Sequence, residues 1–147
     1  MHKDFDQWTT VKKVVNSQIV SDTFYYYARE VWWCSIGVNV DVETDGKHGN
    51  FERPVLVIRK FNKQMFWGVP LTTRPHTGPF YHKVIHEDGV AWAMLSQLKT
   101  FSSKRMLRKV GMITEGDFAR IQKKLLSLTI EPPHGGGGSR RPKPLID

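Results

Sequence analysis

The chain has 147 residues, the size of one domain, and its 22 Lys and Arg against 14 Asp and Glu give a formal charge of +8. Its one cysteine, Cys34, excludes an intrachain disulfide and fits a reducing compartment, and no apolar run reaches the roughly 18 residues a membrane helix needs. The polar opening MHKDFDQW carries no signal-peptide core, so a soluble, cytoplasmic protein with no membrane partner is expected, and the basic excess favours a polyanionic or acidic partner.

Three parts are expected: an N-terminal helical extension over 1–28, a barrel domain over 29–130 and a Pro/Gly-rich tail over 131–147. A helix is predicted over 4–18, where Phe5, Trp8, Val11 and Val15 fall close to one helical stripe. Short segments rich in Val, Ile and aromatics then occupy 30–36, 54–60, 65–71, 80–86, 90–95 and 107–113. Turn-forming stretches separate them, including Asp45-Gly46, residues 61–63 and Asp88-Gly89. Short strands at this spacing predict a small barrel. Thr114 and Asp117 form a capping box with Asp in place of the usual Glu, and Phe118, Ile121, Leu125 and Leu128 give the following helix an apolar face. The tail EPPHGGGGSRRPKPLID, with four consecutive glycines and four prolines, has little to bury and is expected to be disordered.

Several chemistries are set aside. His82 and His86 on one strand would stand about 13 Å apart, too far to share a metal. Cys34 has no Cys or His partner at zinc spacing and reads as a buried thiol. No phosphate-cradling glycine loop and no nucleophile elbow occurs, so neither metal nor cofactor is expected. Trp32 and Trp33 should split between the two faces of their strand. A basic run is more informative. Lys99, Lys104, Arg105, Arg108 and Lys109 fall in a stretch without an acid, interleaved with Phe101 and Met106. Cations among aromatics suit single-stranded nucleic acid, and suit equally a solvated connection before a strand.

Five blocks, in order, resemble the MazF/PemK/Kid toxin family between about Arg29 and Leu128. They are REVWWCSIG at 29–37; ETDG at 43–46 leading to RPVLVI at 53–58; VPLTT at 69–73; LSQ at 95–97; and SKRMLRKVGMIT at 103–114 with its helix. Two departures stand out. Val42 and Thr44 replace the family's Ser and Gln around the loop acid, and residues 47–52 extend that loop before the Arg-Pro pair. The resemblance implies a mainly β fold with flanking helices: a small SH3-like barrel of the MazF/PemK/CcdB type, with an N-terminal and a C-terminal helix. It implies a homodimeric toxin of a type II toxin–antitoxin system that cleaves single-stranded RNA and is restrained by a cognate acidic antitoxin. The family's catalytic arginine matches Arg53 and its catalytic threonine matches Thr72.

Those residue types suit RNA cleavage without a metal, in which the substrate's own 2′-hydroxyl attacks phosphorus. Arg53 offers a planar, charged fork for phosphate oxygens. By its pKa arginine is a poor general base, so charge stabilisation is its first role. Thr72 can orient the phosphate, and Glu43 is the nearest candidate acid–base. Thr73, Arg74, Ser96, Gln97, Lys104 and Arg105 are the candidate RNA-binding residues. A binder of nucleic acid or of a protein target on the same barrel, without catalysis, is the alternative.

Overall fold

A computed structural model describes residues 2–132. The tail expected over 131–147 therefore lies outside the described residues, apart from its first two positions.

The chain runs through helix α1 (Phe5–Ser17), strands β1 (Glu30–Ser35), β2 (Glu52–Lys60), β3 (Met65–Thr72), β4 (Tyr81–His86), β5 (Gly89–Met94), β6 (Lys99–Ser102) and β7 (Met106–Met112), and helix α2 (Glu115–Leu128). Short 3-10 turns at Leu95–Gln97 and Ser103–Arg105 flank β6. The sheet order is β4-β5-β3-β2-β1-β7, and every pairing is antiparallel. Strand β3 has two further partners besides β2: residues 65–68 pair with β6, and Leu71 and Thr72 pair with β5. One strand with different partners along its length bends the sheet into a half-barrel. Between two flanking helices, this is the mainly β architecture, with an N-terminal and a C-terminal helix, that the sequence resemblance implied.

Alternation along the strands builds two cores, because successive side chains point to opposite faces. Leu56 joins Val31, Val69, Leu71 and Ala93 in a core covered by Phe118 and Ile121 of α2. Val55 and Val57 join Trp32, Cys34, Ile36, Phe66 and Phe101 in the other. Trp32 is buried and Trp33 half-buried, the expected division between faces. Cys34 is fully buried, and burial pushes its thiol well above the usual range.

Both helices begin with side-chain caps. Asp4 accepts from the amide of Gln7 at 2.9 Å, and the Thr114 hydroxyl accepts from the amide of Asp117 at 3.1 Å. The reciprocal half of the capping box does not form as read, since the Asp117 carboxylate meets the Thr114 hydroxyl, His82 and Arg120 instead. In α1 the predicted stripe narrows to one anchor: Trp8 is buried, Val11 and Val15 are half-buried, and Phe5 is 49% exposed. Trp8 lies on the backbone of Gly37, packs edge-on to Phe51 at 5.6 Å and shares a small core with Val38.

Strand β6 is the element the sequence hid. Its four residues lie in the basic run, where the interleaved aromatic suggested base stacking. Phe101 is instead buried and stacked on Phe66 at 5.5 Å, so it belongs to the core.

Candidate functional site

Arg53 is the second residue of β2 and Thr72 the last of β3. These strands pair with Val55 opposite Pro70, so the same register carried outward sets Arg53 across from Thr72. The Arg53 guanidinium is half-buried. Its Nε donates to the carbonyl of Asp45 at 2.7 Å and its Nη1 to the carbonyl of Leu71 at 3.2 Å. Those bonds fix the fork and leave donor positions free. Burial lowers the Arg53 pKa from its ordinary value, the Asp45 charge works against that, and the Arg74 charge adds to it. Thr72 is 8% exposed, and its hydroxyl accepts from the amide of Arg74 at 3.2 Å. That bond turns the chain away from the strand and leaves the hydroxyl proton available as a donor.

The long loop between β1 and β2 wraps over this pair. Its base is closed by Ile36 and Gly37 amides donating to the carbonyl of Phe51, and by the Gly46 amide donating to the carbonyl of Gly37 at 2.7 Å. Gly46 has no room for a side chain, since a Cβ there would stand 1.6 Å from the Phe51 carbonyl oxygen. The N-terminal segment braces the loop from outside. Lys3 pairs with the Asp45 carboxylate at 3.3 Å and donates to the carbonyls of Asn39 and Asp41. The other Asp45 oxygen accepts from the Asn39 amide at 2.7 Å. Lys3 therefore holds the residue whose carbonyl holds Arg53.

Two clefts meet at Arg53 and Thr72. One, of about 340 Å³, is walled by Trp33, Lys47, His48, Glu52, Thr73 and His86. The other, of about 400 Å³, is walled by Lys3, Asp45, Lys47, His48, Phe51 and Arg74. Of the residues singled out from sequence, these clefts unite Arg53, Thr72, Thr73 and Arg74. Glu43, Ser96 and Gln97 line a neighbouring cleft of about 310 Å³ together with Thr44, Pro70 and Lys99. Glu43 is exposed there and accepts from the Val40 amide at 2.9 Å. Gln97 acts as a clamp, accepting from the Thr44 amide at 3.2 Å and donating to the Val42 carbonyl at 3.1 Å. Lys99 is held below its ordinary pKa by burial and by Arg105, with Glu43 opposing.

The basic run does not gather in one place. Lys104 donates to the Asn16 carbonyl at the end of α1, at 2.9 Å. Arg105 donates to the Ser35 carbonyl at 3.0 Å, and its guanidinium lies 5.8 Å from the Trp8 ring. Arg108 pairs with Glu52 at 2.8 Å and covers the Trp33 ring at 4.8 Å. Lys109 pairs with the buried Glu30 at 2.6 Å. Lys104 and Arg105 line neither cleft at Arg53. His82 and His86 have separate partners, Asp117 and the amide of Asp88. Among the described residues no three His, Cys, Asp or Glu side chains gather as a metal site, and no helix is long and apolar enough to cross a membrane.

The parts played by Asp45 and Lys3 carry no mark in the sequence, since their pairing joins distant segments; the place of His48 in the clefts is signalled only by the loop extension at 47–52, a departure from the family pattern.

A model of the PemK-like, MazF-like toxins of type II toxin–antitoxin systems matches residues 28–129. The fold is similar to that of MazF from Deinococcus radiodurans, with TM-score 0.60 and 18% identity over 72% of this chain and 97% of that one. It is also similar to an endoribonuclease from a mycobacterial species, solved in complex with its cognate antitoxin. There the TM-score is 0.57 and the identity 16%, over 74% of this chain and all of that one. The Mycobacterium tuberculosis toxin MazF-mt6 matches with TM-score 0.53 and 11% identity, over 69% of this chain and 96% of that one. At such identities these structures speak for the fold. No curated protein sequence matches the chain.

Proposed function

Because the chain belongs to the PemK-like, MazF-like toxin family of type II toxin–antitoxin systems, we propose that it is the toxin of such a pair, an endoribonuclease that cuts single-stranded RNA at the Arg53–Thr72 cleft. The observation that carries this reading is the meeting of a preset guanidinium and a hydroxyl donor at the ends of two paired strands, between clefts edged by Lys47 and Arg74.

The reaction these groups suit is transesterification. The 2′-oxygen attacks phosphorus, the bond from phosphorus to the 5′-oxygen breaks, and the products are a 2′,3′-cyclic phosphate and a 5′-hydroxyl. Arg53 meets the negative charge that grows on the phosphoryl oxygens, and because its orientation is set beforehand it needs little reorganisation as that charge appears. Thr72 donates a hydrogen bond to the same phosphate. Arg74 and Thr73 carry the strand away from the cut, and Ser96, Gln97 and Glu43 contact nucleotides in the adjoining cleft. Lys104 and Arg105 add long-range attraction for the backbone. The toxin acts as a homodimer, and an acidic segment of its antitoxin lies over the cationic edge of the clefts. Sedimentation at the mass of a dimer tests the assembly.

The test of the site is the activity of Arg53→Ala and Thr72→Ala on single-stranded RNA. Each is expected to remove cleavage, by about 10²–10³-fold or more, while circular dichroism stays that of the parent. Full cleavage by folded Arg53→Ala would overturn the site.

A further inference from the structure

Resting on that endoribonuclease reading, we propose that His48 is a catalytic residue of this chain, the general base that takes the proton of the attacking 2′-hydroxyl.

The cleft at Arg53 and Thr72 has a phosphate-binding cation and a hydroxyl, and the reaction also needs a proton acceptor. The candidate from sequence, Glu43, lines the neighbouring cleft instead. Within the first cleft, the Glu52 carboxylate is taken by Arg108 at 2.8 and 3.4 Å. The Nδ1 of His86 accepts from the Asp88 amide at 3.2 Å, which occupies one side of that ring. In the second cleft Asp45 is held by Lys3 and Asn39, and its carbonyl by Arg53.

His48 is different. It belongs to the lining the two clefts share, together with Lys47, Arg53 and Thr72. It is exposed, and among the described residues its ring has no hydrogen-bond partner. The loop puts it there by construction. Lys47 bridges Glu52 with two backbone hydrogen bonds of 2.9 Å, and the Phe51 amide donates to the His48 carbonyl at 3.1 Å. The turn holds His48 at φ +66°, a left-handed conformation in which histidine is several-fold enriched among non-glycine residues. A short hairpin, from the extension that departs from the family pattern, thus places one exposed imidazole in the shared lining of the two clefts. Imidazole is the side chain that ordinarily exchanges protons near neutral pH.

In the step, neutral His48 accepts the 2′-hydroxyl proton as the 2′-oxygen bonds to phosphorus. The leaving 5′-oxygen takes a proton from water, and the imidazolium then returns its proton to solvent. The ionisable groups that line the first cleft with His48 are Lys47, Glu52, Arg53, His86 and Asp88. Those lining the second, besides Lys47 and Arg53, are Lys3, Asp4, Asp45, Arg74 and His2.

The experiment compares the parent with His48→Asn, which tolerates the left-handed backbone, and with His48→Gln. It reads kcat and KM on a single-stranded RNA across pH, and the affinity for an all-2′-O-methyl RNA, which lacks the nucleophile. The expected result is a fall in kcat of about 10²–10⁴-fold with KM and binding within about threefold. The ascending limb of the parent's pH–rate profile should vanish in both variants. Cleavage by either variant at rates near the parent's, or a retained ascending limb, overturns His48 as the base while leaving the endoribonuclease reading intact. A parent protein that cuts no RNA overturns both.

Discussion

Gly37 is where the helical extension and the barrel depend on each other most directly, and replacing it with Ala should separate them. Gly37 has φ +85°, and a Cβ built on it would stand 2.1 Å from Cε2 of Trp8 and 2.3 Å from Cζ2. The left-handed backbone alone costs an alanine about 1–2 kcal/mol. The ring cannot stay where it is, because heavy atoms at that distance overlap deeply. Trp8 is 6% exposed, and removing a buried Trp from its contacts typically costs about 3–5 kcal/mol. Partial repacking against Phe51 and Val38 recovers some of this, so Gly37→Ala should cost about 3–5 kcal/mol in all. At roughly 3 °C per kcal/mol for a domain of this size, Tm falls by about 10–15 °C. The assay is a double-mutant cycle read by thermal unfolding. In a Trp8→Ala background the clash has no partner, and Gly37→Ala should then cost only the backbone strain, about 1–2 kcal/mol. Equal costs in the two backgrounds would show that Trp8 is not seated on Gly37. An unchanged Tm in the single variant would refute both halves of the reasoning.

Other perturbations reach different parts of the molecule. Lys109→Ala leaves the Glu30 carboxylate, 3% exposed, with only its neutral donors; since Lys109 is itself half exposed, the loss in a denaturant melt should be about 1–2 kcal/mol, and no change would mean water replaces it freely. Burial pushes Asp117 up, but hydrogen bonds and charge from His82 and Arg120 outweigh it and hold its carboxyl below the ordinary value. The stability it contributes is therefore present above the ordinary carboxylate range, about pH 4, and is lost as pH falls below it. Asp117→Asn should lower Tm at neutral pH, with the difference closing toward pH 2, and a constant difference would refute the linkage. Lys104→Ala with Arg105→Ala should weaken RNA binding alike for all sequences and flatten its salt dependence by about one to two log units per log unit of salt. An unchanged slope with a lower Tm would confine these side chains to holding α1 and the Ser35 carbonyl.

The fold was legible in the chain because its signals are local. Short runs of Val, Ile and aromatic residues marked β1 to β5 and β7, turn-forming stretches separated them, and the Thr114 cap marked the start of α2. Strand β6 was hidden because four residues are too few to show a period, and because Lys99 and Lys104 beside Phe101 imitate a nucleic-acid surface. Only the tertiary partner, Phe66, decides that Phe101 is core. The weak stripe of α1 has a similar explanation. One Trp docked on a bare glycine backbone replaces a broad apolar face, and the pairing of Trp8 with Gly37 spans residues far apart in the chain.

The candidate site divides along the same line. Arg53 and Thr72 were visible because each lies at or next to the end of a strand in a recognisable block, and strand register then sets them opposite each other. The loop between β1 and β2 was opaque. Its conformation rests on the Asp45–Lys3 pair, the Gln97 clamp and positive φ at Asp41, His48 and Phe51. Those interactions join segments distant in sequence, or use backbone states that non-glycine residues seldom reveal. Glu43 consequently went to the neighbouring cleft, and His48 took a place no motif announced.

The measurement that bears most directly on the central claim is the identity of the RNA ends. The purified protein should be incubated with single-stranded RNA in EDTA and the products resolved by their terminal groups. Cleavage should persist in EDTA and leave a 2′,3′-cyclic phosphate upstream and a 5′-hydroxyl downstream, all absent with Arg53→Ala. Intact RNA after incubation with folded protein, or cleavage that requires Mg²⁺ and leaves 5′-phosphates, would contradict it.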